Sequence, residues 1–232
     1  MILGAVPEFT KSIAMQVSAS SVPFFAVEYR LAPEHPHPTP IEDCFSALTW
    51  LRDNAAKLNV DPTRIGVLGE SAGGGLAAGT ALLARDRDFS PSLAKQILIY
   101  PMLDDRNTTP DSALEHLAVW GYDDNVTGWG ALLGSKAGQA DAGDGSGKGG
   151  ISYAAPARAT SLAGLPDAYI EVGALDIFRD EDIKYSQRLV AAGVMTEFHL
   201  YPGVPHAFEA IAPEAAVTKS ALANRIRAMQ SF

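Results

Sequence analysis

Three side chains of this sequence have the types and order needed for nucleophilic chemistry: a serine set among glycines, then an aspartate and a histidine far downstream. Gly69-Glu70-Ser71-Ala72-Gly73 directly follows the apolar run Ile65-Gly66-Val67-Leu68 and leads into the small-residue stretch Leu76–Ala84. A G-x-S-x-G frame between a strand and a helix is a tight, strained turn. It tolerates no bulk beside the serine and pushes the hydroxyl out of the top of a sheet. The flanking apolar strand and small-residue helix supply the context that a bare five-residue match lacks. Glycines after a strand can instead open a dinucleotide or phosphate loop. Here the glycine spacing is G-x-x-x-G-G-G, so neither G-x-G-x-x-G nor G-x-x-x-x-G-K-[ST] is present. A tight helix–strand crossing with an incidental serine is the remaining alternative.

A serine in such a turn needs a base and an acid later in the chain. His206 lies in the loop Pro202-Gly203-Val204-Pro205-His206, just past the alternating strand pattern Thr196–Tyr201. Loops at strand ends are where a sheet carries reactive groups, so His206 is the expected base. His199 is the competitor, inside that strand and in phase with Glu197 and Tyr201. Asp176 lies in the exit loop Ala174-Leu175-Asp176 of the strand pattern Asp167–Gly173 and is the expected acid. Asp180 and Asp182 compete, but both also suit the acidic first turn of a helix. Glu171 is a weaker choice, because it lies within the strand itself.

The three types complement one another. A serine hydroxyl is a poor nucleophile at neutral pH. A neighbouring histidine takes its proton during attack and returns it to the leaving group, while an aspartate orients the imidazole and stabilises its charged form. This chemistry needs no cofactor. His35 and His37 sit among prolines without a third ligand at helpful spacing, so no metal site is expected.

The elements that must position these groups alternate between strand and helix, which predicts a mostly parallel sheet flanked by helices in a single α/β domain over residues 1–232. Strands are expected at Phe24–Tyr29, Ile65–Leu68, Gln96–Tyr100, Ala168–Val172 and Thr196–Tyr201. A helix is expected from Thr39, with Thr39 as its cap and Pro40 at its first position. Ile41, Cys44, Phe45, Leu48 and Leu51 form its apolar face. Tyr185, Leu189 and Val190 mark a second amphipathic helix ending near Gly193, and the last helix spans about Ala215–Met229. The stretch 104–159 breaks the rhythm and reads as a lid or pocket-wall insertion. It carries Trp120, Tyr122 and Trp129, and its glycine-rich part, 138–150, reads as a mobile loop.

Composition narrows the function classes. At 232 residues, 47% hydrophobic and 19% charged, the chain suits a soluble globular domain with a sizeable core. A net charge of −9 argues against nucleic acid or an anionic membrane surface as partner. No run approaches a membrane span and the apolar start lacks a basic region, so the expectation is a cytoplasmic protein without membrane insertion. The single cysteine, Cys44, sits on an apolar helix face and reads as a packed thiol.

Tyr29-Arg30-Leu31-Ala32-Pro33-Glu34, Gly69-Glu70-Ser71-Ala72-Gly73-Gly74, Asp176 with Arg179-Asp180-Glu181, and His206-Ala207-Phe208 together resemble the hormone-sensitive-lipase family of bacterial carboxylesterases. That resemblance implies an α/β-hydrolase fold with Ser71, Asp176 and His206 as catalytic triad. It further implies hydrolysis of short- to medium-chain acyl esters through an acyl-serine intermediate, and a pocket partly walled by the 104–159 region. A small-molecule ester is then the partner, and a homodimer is compatible with it. The family also carries an H-G-G-G motif whose glycine amides supply part of the oxyanion hole. This sequence lacks it and begins Met1-Ile2-Leu3-Gly4, which resembles the residues just after that motif. The expectation is an N-terminally truncated hydrolase, missing a strand between Phe24–Tyr29 and Ile65–Leu68 and keeping the Ala72 amide as one oxyanion donor. Two alternatives follow: amide or peptide hydrolysis by the same triad, or a catalytically impaired binding module.

Overall fold

The computed structural model describes residues 1–140 and 150–232. The glycine-rich stretch singled out in the sequence therefore falls mostly outside the described residues. In chain order the elements are α1 (Val6–Ser20), α2 (Thr39–Asp53), α3 (Ala55–Leu58), β1 (Gly66–Glu70), α4 (Ala72–Asp86), β2 (Lys95–Ile99), α5 (Tyr122–Leu133), β3 (Asp167–Gly173), α6 (Arg179–Ala191), β4 (Thr196–Tyr201), α7 (Phe208–Ile211) and α8 (Ala216–Met229).

The four strands form one parallel sheet in the order β1-β2-β3-β4. Its register sets Gly69 beside Leu98, Leu98 beside Ile170, and Ile170 beside Phe198. Parallel strands covered on both faces read as nearly continuous apolar runs, and β2 and β3 are buried along almost their whole length. Their side chains divide by the period of two. Leu98, Ala168 and Ile170 join one core with α2, α4 and α6, whereas Ile97, Ile99 and Tyr169 join another with Ala228 and Met229 of α8. Full burial of such a side chain contributes about 1.5–3 kcal/mol.

Helix α4 is buried all round from Gly74 to Ala84, as befits a helix with no polar face. It lies between the sheet, α2 and the turn at Ile151–Tyr153. Its small residues permit that crowding: a Cβ on Gly75 would come within 2.2 Å of the Met102 carbonyl oxygen.

Several local expectations are corrected. Phe24–Tyr29 forms no strand and makes no ladder among the described residues. Its alternation is real: Phe24 packs against the core of Ile97, Ile99 and Tyr169, Tyr29 packs against the opposite core, and Phe25 stacks on Trp50 with ring centroids 5.3 Å apart. A strand is defined by its partner, however, and two-stranded pairing without support is marginal in water. Among the described residues no strand pairs with this segment, and β1 forms an edge of the sheet. Thr39 is the first residue of α2 rather than its cap, which is Pro38 and makes no side-chain cap bond; one turn on, Asp43 accepts from the Arg30 amide at 3.0 Å and from its guanidinium. Val190 is exposed, so Tyr185 and Leu189 alone of the three expected positions face the core from α6. Helix α1 was not anticipated. Its sequence signature is short: Pro7 near the start, and Glu8 accepting from the Ala5 amide at 3.3 Å.

The stretch 104–140 contains α5, whose Tyr122, Trp129 and Leu132 form a third core with Met102, Ile177 and Phe178. Trp129 is buried there. No helix among the described residues is long and apolar enough to cross a membrane.

Candidate active site

The turn from β1 into α4 carries Ser71 at φ 55° and ψ −123°, a backbone conformation that L residues rarely adopt. Such a residue stores about 1–3 kcal/mol and persists only where its surroundings over-determine it. They do so here. The Ser71 amide donates to the Ile99 carbonyl at 2.9 Å, and its own carbonyl accepts from Met102 at 3.0 Å and Gly75 at 3.1 Å. Gly69 is required by close approach, since a Cβ there would lie 2.0 Å from the Gly73 carbonyl oxygen. Gly73, by contrast, faces open space.

Asp176 and His206 come from neighbouring strand exits that are joined by their backbones. Ala174 donates to the Tyr201 carbonyl at 2.8 Å and Leu175 to the Val204 carbonyl at 3.0 Å. These bonds bring the loop after β3 against the loop after β4. Asp176, 1% exposed, then meets His206, 8% exposed. The Asp176 Oδ2 to His206 Nδ1 distance is 2.7 Å, and His206 Nε2 lies 3.0 Å from Ser71 Oγ. Asp176 Oδ1 also accepts from the Phe178 amide at 3.0 Å, which fixes the carboxylate in its plane. An ionised carboxylate only accepts hydrogen bonds, so the Nδ1 proton is the one shared with Asp176, and Nε2 is left to accept from the Ser71 hydroxyl. The imidazole is further enclosed by two aromatic rings, Tyr100 at 4.5 Å and Phe178 at 5.3 Å between centroids.

The competing residues lie elsewhere. His199 bonds to Glu197 at 2.6 Å and stacks on Tyr201. Asp180 pairs with Arg179 at 2.7 Å. Glu171 pairs with Arg225. Asp182 is fully buried in the first turn of α6, and its two oxygens have no hydrogen-bond partner among the described residues. Burial, then the nearby Glu181 and Asp176, push its carboxyl well above the usual range. Among the described residues no cluster of three or more His, Cys, Asp or Glu could hold a metal ion. Cys44 is packed, and burial pushes its thiol up to about 12.

Ala72 is the first residue of α4, and amides in a first helical turn lack intrahelical acceptors. The positive end of the helix dipole therefore faces the region beside Ser71 Oγ.

Glu181 braces the loop after β2 that covers this corner. It accepts from the Leu103 amide at 2.6 Å, the Asp104 amide at 3.1 Å and Asn107 at 2.8 Å. Burial nevertheless prevails over these bonds and pushes its carboxyl from 4.5 up to about 8. Between those two values the folded chain holds more protons than the unfolded one, so the contribution of Glu181 to stability falls as pH rises through the window. Glu181→Gln lacks this titration. Its stability relative to the parent is expected to increase between about pH 5 and about pH 8 in urea denaturation, and parallel curves would contradict the assignment.

Sequence reasoning missed Tyr100, Glu209 and Arg225. Tyr100 directly follows β2 with φ 36°, and its hydroxyl donates to Glu209 at 2.8 Å. Glu209 also accepts from Arg225 at 2.6 Å. Their only sequence signal is the position of Glu209, three residues after His206.

Known proteins are similar to this chain over most of its length. A family model described as alpha/beta hydrolase fold matches residues 2–210. Esterase LipI of Mycobacterium tuberculosis is 38% identical over 186 residues, covering 79% of this chain and 54% of LipI. Carboxylesterase NlhH of the same species is 38% identical over 210 residues, covering 89% of this chain and 64% of NlhH. The chain thus spans about half to two thirds of the length of these relatives. Among solved structures, a bacterial heroin esterase superposes with a TM-score of 0.87 at 38% identity, covering 99% of this chain and 70% of that one. With a family match that runs from the first residues past His206, and relatives that agree in both sequence and structure, the chain belongs to the α/β-hydrolase fold family, in its hormone-sensitive-lipase branch.

Proposed function

We propose that this chain hydrolyses short- to medium-chain carboxylic esters, with Ser71 as nucleophile, His206 as general base and acid, and Asp176 as the group that orients His206. The observation that carries this reading is the continuous hydrogen-bonded line Ser71–His206–Asp176, built at 3.0 and 2.7 Å on a strained elbow. The names of the similar proteins, esterase and carboxylesterase, support the ester as substrate class.

In the first half-reaction Ser71 Oγ attacks the ester carbonyl while its proton passes to His206 Nε2. The carbonyl oxygen becomes an anion held by the Ala72 amide, and the buried Asp176 carboxylate stabilises the imidazolium. Collapse breaks the bond to the alkoxide, which takes the proton from His206 and leaves the acyl group on Ser71. A water molecule then repeats the sequence and releases the acid. Ester rather than amide is favoured because an alkoxide leaves with less assistance than an amine.

We also propose that the 104–140 and 150–159 stretches wall the substrate site, supported by their packing onto Met102, Ile177 and Phe178. The unpaired edge of β1 supports pairing of two copies; light scattering at only the 24.5 kDa chain mass would refute it. The function is tested by hydrolysis of para-nitrophenyl acetate, butyrate and octanoate against butyranilide. Ester turnover well above anilide turnover, and absent in Ser71→Ala, is the expected result. Folded protein with no turnover above that variant would make the chain a binding module.

A further inference from the structure

Two hydrogen bonds fix the His206 imidazole at its nitrogens, but they leave the ring free to tilt about the line joining them. What limits that tilt is the pair of aromatic rings, and of these Tyr100 is the closer, at 4.5 Å with an interplanar angle of 64°. Tyr100 is itself held at three points. Its amide donates to the Glu171 carbonyl at 2.7 Å, its hydroxyl donates to Glu209 Oε1 at 2.8 Å, and the Arg225 guanidinium lies 5.7 Å from its ring centroid. Arg225 binds Glu209 and Glu171 together, and it is buried with Glu171 in the core. Glu209 follows His206 by three residues in α7, so its bonds tie the His206 loop back to the end of β2. Two residues beyond Tyr100, the Met102 amide donates to the Ser71 carbonyl. Tyr100 therefore sits on a segment that touches both the nucleophile's turn and the histidine's loop.

We propose that Tyr100 is a positioning residue for His206: its ring edge, fixed by Glu209 and Arg225, holds the imidazole at the tilt that keeps Nε2 aimed at Ser71 Oγ. The inference deepens the reading of Ser71 and His206 as the reacting pair and rests on it. A ring in the left-handed region at φ 36° is a conformation that a tyrosine adopts only under constraint. The constraint here comes from the cluster of Glu209, Arg225 and Glu171 around it.

The test uses the full chain and two variants. Tyr100→Phe keeps the ring and loses its tether to Glu209, and Tyr100→Leu removes the ring. With para-nitrophenyl butyrate, kcat is expected to fall about tenfold in the first and about a hundredfold in the second, with KM within about twofold of the parent. The proton resonance far downfield from the Nδ1–H shared by His206 and Asp176 is expected to shift in Tyr100→Phe and to broaden or disappear in Tyr100→Leu. A purely structural role would lower the melting temperature without moving that resonance in folded protein. A folded Tyr100→Leu with kcat within about twofold of the parent and an unmoved resonance overturns the proposal, as does a rise in KM at constant kcat. If the leucine variant does not fold, the phenylalanine variant decides by the same two readouts. Hydrolysis that does not depend on Ser71 would instead sink the parent reading, and the resonance would still report on Tyr100.

Discussion

Ser71→Ala is expected to lower para-nitrophenyl butyrate hydrolysis by about 10⁴-fold or more in kcat, because removing the nucleophile of a triad leaves only binding and oxyanion contributions. The size of the loss follows from the division of labour at the site. His206 Nε2 accepts from the serine hydroxyl at 3.0 Å, and without that hydroxyl there is no proton to move and no acyl group to carry. The substitution itself is mild. Alanine occupies the same left-handed backbone as Ser71, between the same three backbone hydrogen bonds to Ile99, Met102 and Gly75. The side-chain bond to His206 is lost, so stability is expected to change by about 0.5–1.5 kcal/mol. Steady-state kinetics paired with urea denaturation separates the two effects. Activity reduced less than about tenfold in folded protein would exclude Ser71 as the nucleophile.

The largest expected effect on stability belongs to Arg225→Met. Arg225 is 2% exposed and bonds to Glu171, which is fully buried, and to Glu209. A buried ion pair often gives little net stability over an apolar replacement, but removing one partner leaves a charge without compensation and costs about 3–5 kcal/mol. Stability of a single domain totals about 5–15 kcal/mol, so the variant should unfold at markedly lower urea. The deficit also carries a sign in pH. Burial already pushes the Glu171 carboxyl up, and the Arg225 charge and hydrogen bond restrain that rise. Without Arg225 the folded chain binds its proton more strongly still, whereas the unfolded chain releases it in the ordinary carboxylate range. The deficit should therefore grow as pH rises past the point at which Glu171 ionises in the folded parent, which burial has already placed above the ordinary carboxylate range. A loss below about 1 kcal/mol at neutral pH would show that the cluster is compensated in some other way.

The sheet and the serine turn could be read before any coordinates because their determinants are local. The apolar runs of β2 and β3 are continuous in sequence, since both faces are covered, and their observed limits lie within one residue or so of the expected ones. The Ser71 turn is legible because a Cβ on Gly69 would strike the chain only four residues away. Asp176 and His206 were singled out by their place after strands, and the structure brings both to Ser71 through the backbone bonds between the two exit loops. Phe24–Tyr29 shows the limit of such reasoning. Its alternation expresses how a segment divides two environments, and a ladder needs a second chain segment that periodicity cannot supply. Val190 and Thr39 fail for a related reason, because the face a helix buries and the group that caps it depend on what packs alongside.

The sequence by itself determined the strand–turn–helix that carries Ser71, the order of Ser71, Asp176 and His206 and the family to which the chain belongs. All of these rest on contacts a few residues apart or on motifs whose sterics are self-contained. Only the tertiary structure decided how those groups are held. Tyr100, Glu171, Glu209 and Arg225 meet from the exit of β2, from β3, from α7 and from α8, with Glu171 and Arg225 separated by 54 residues. An arginine, two glutamates and a tyrosine carry no spacing that announces a cluster. Their partnership arises because burial leaves each charged group no water to bond with, so each must find its counterpart across the fold.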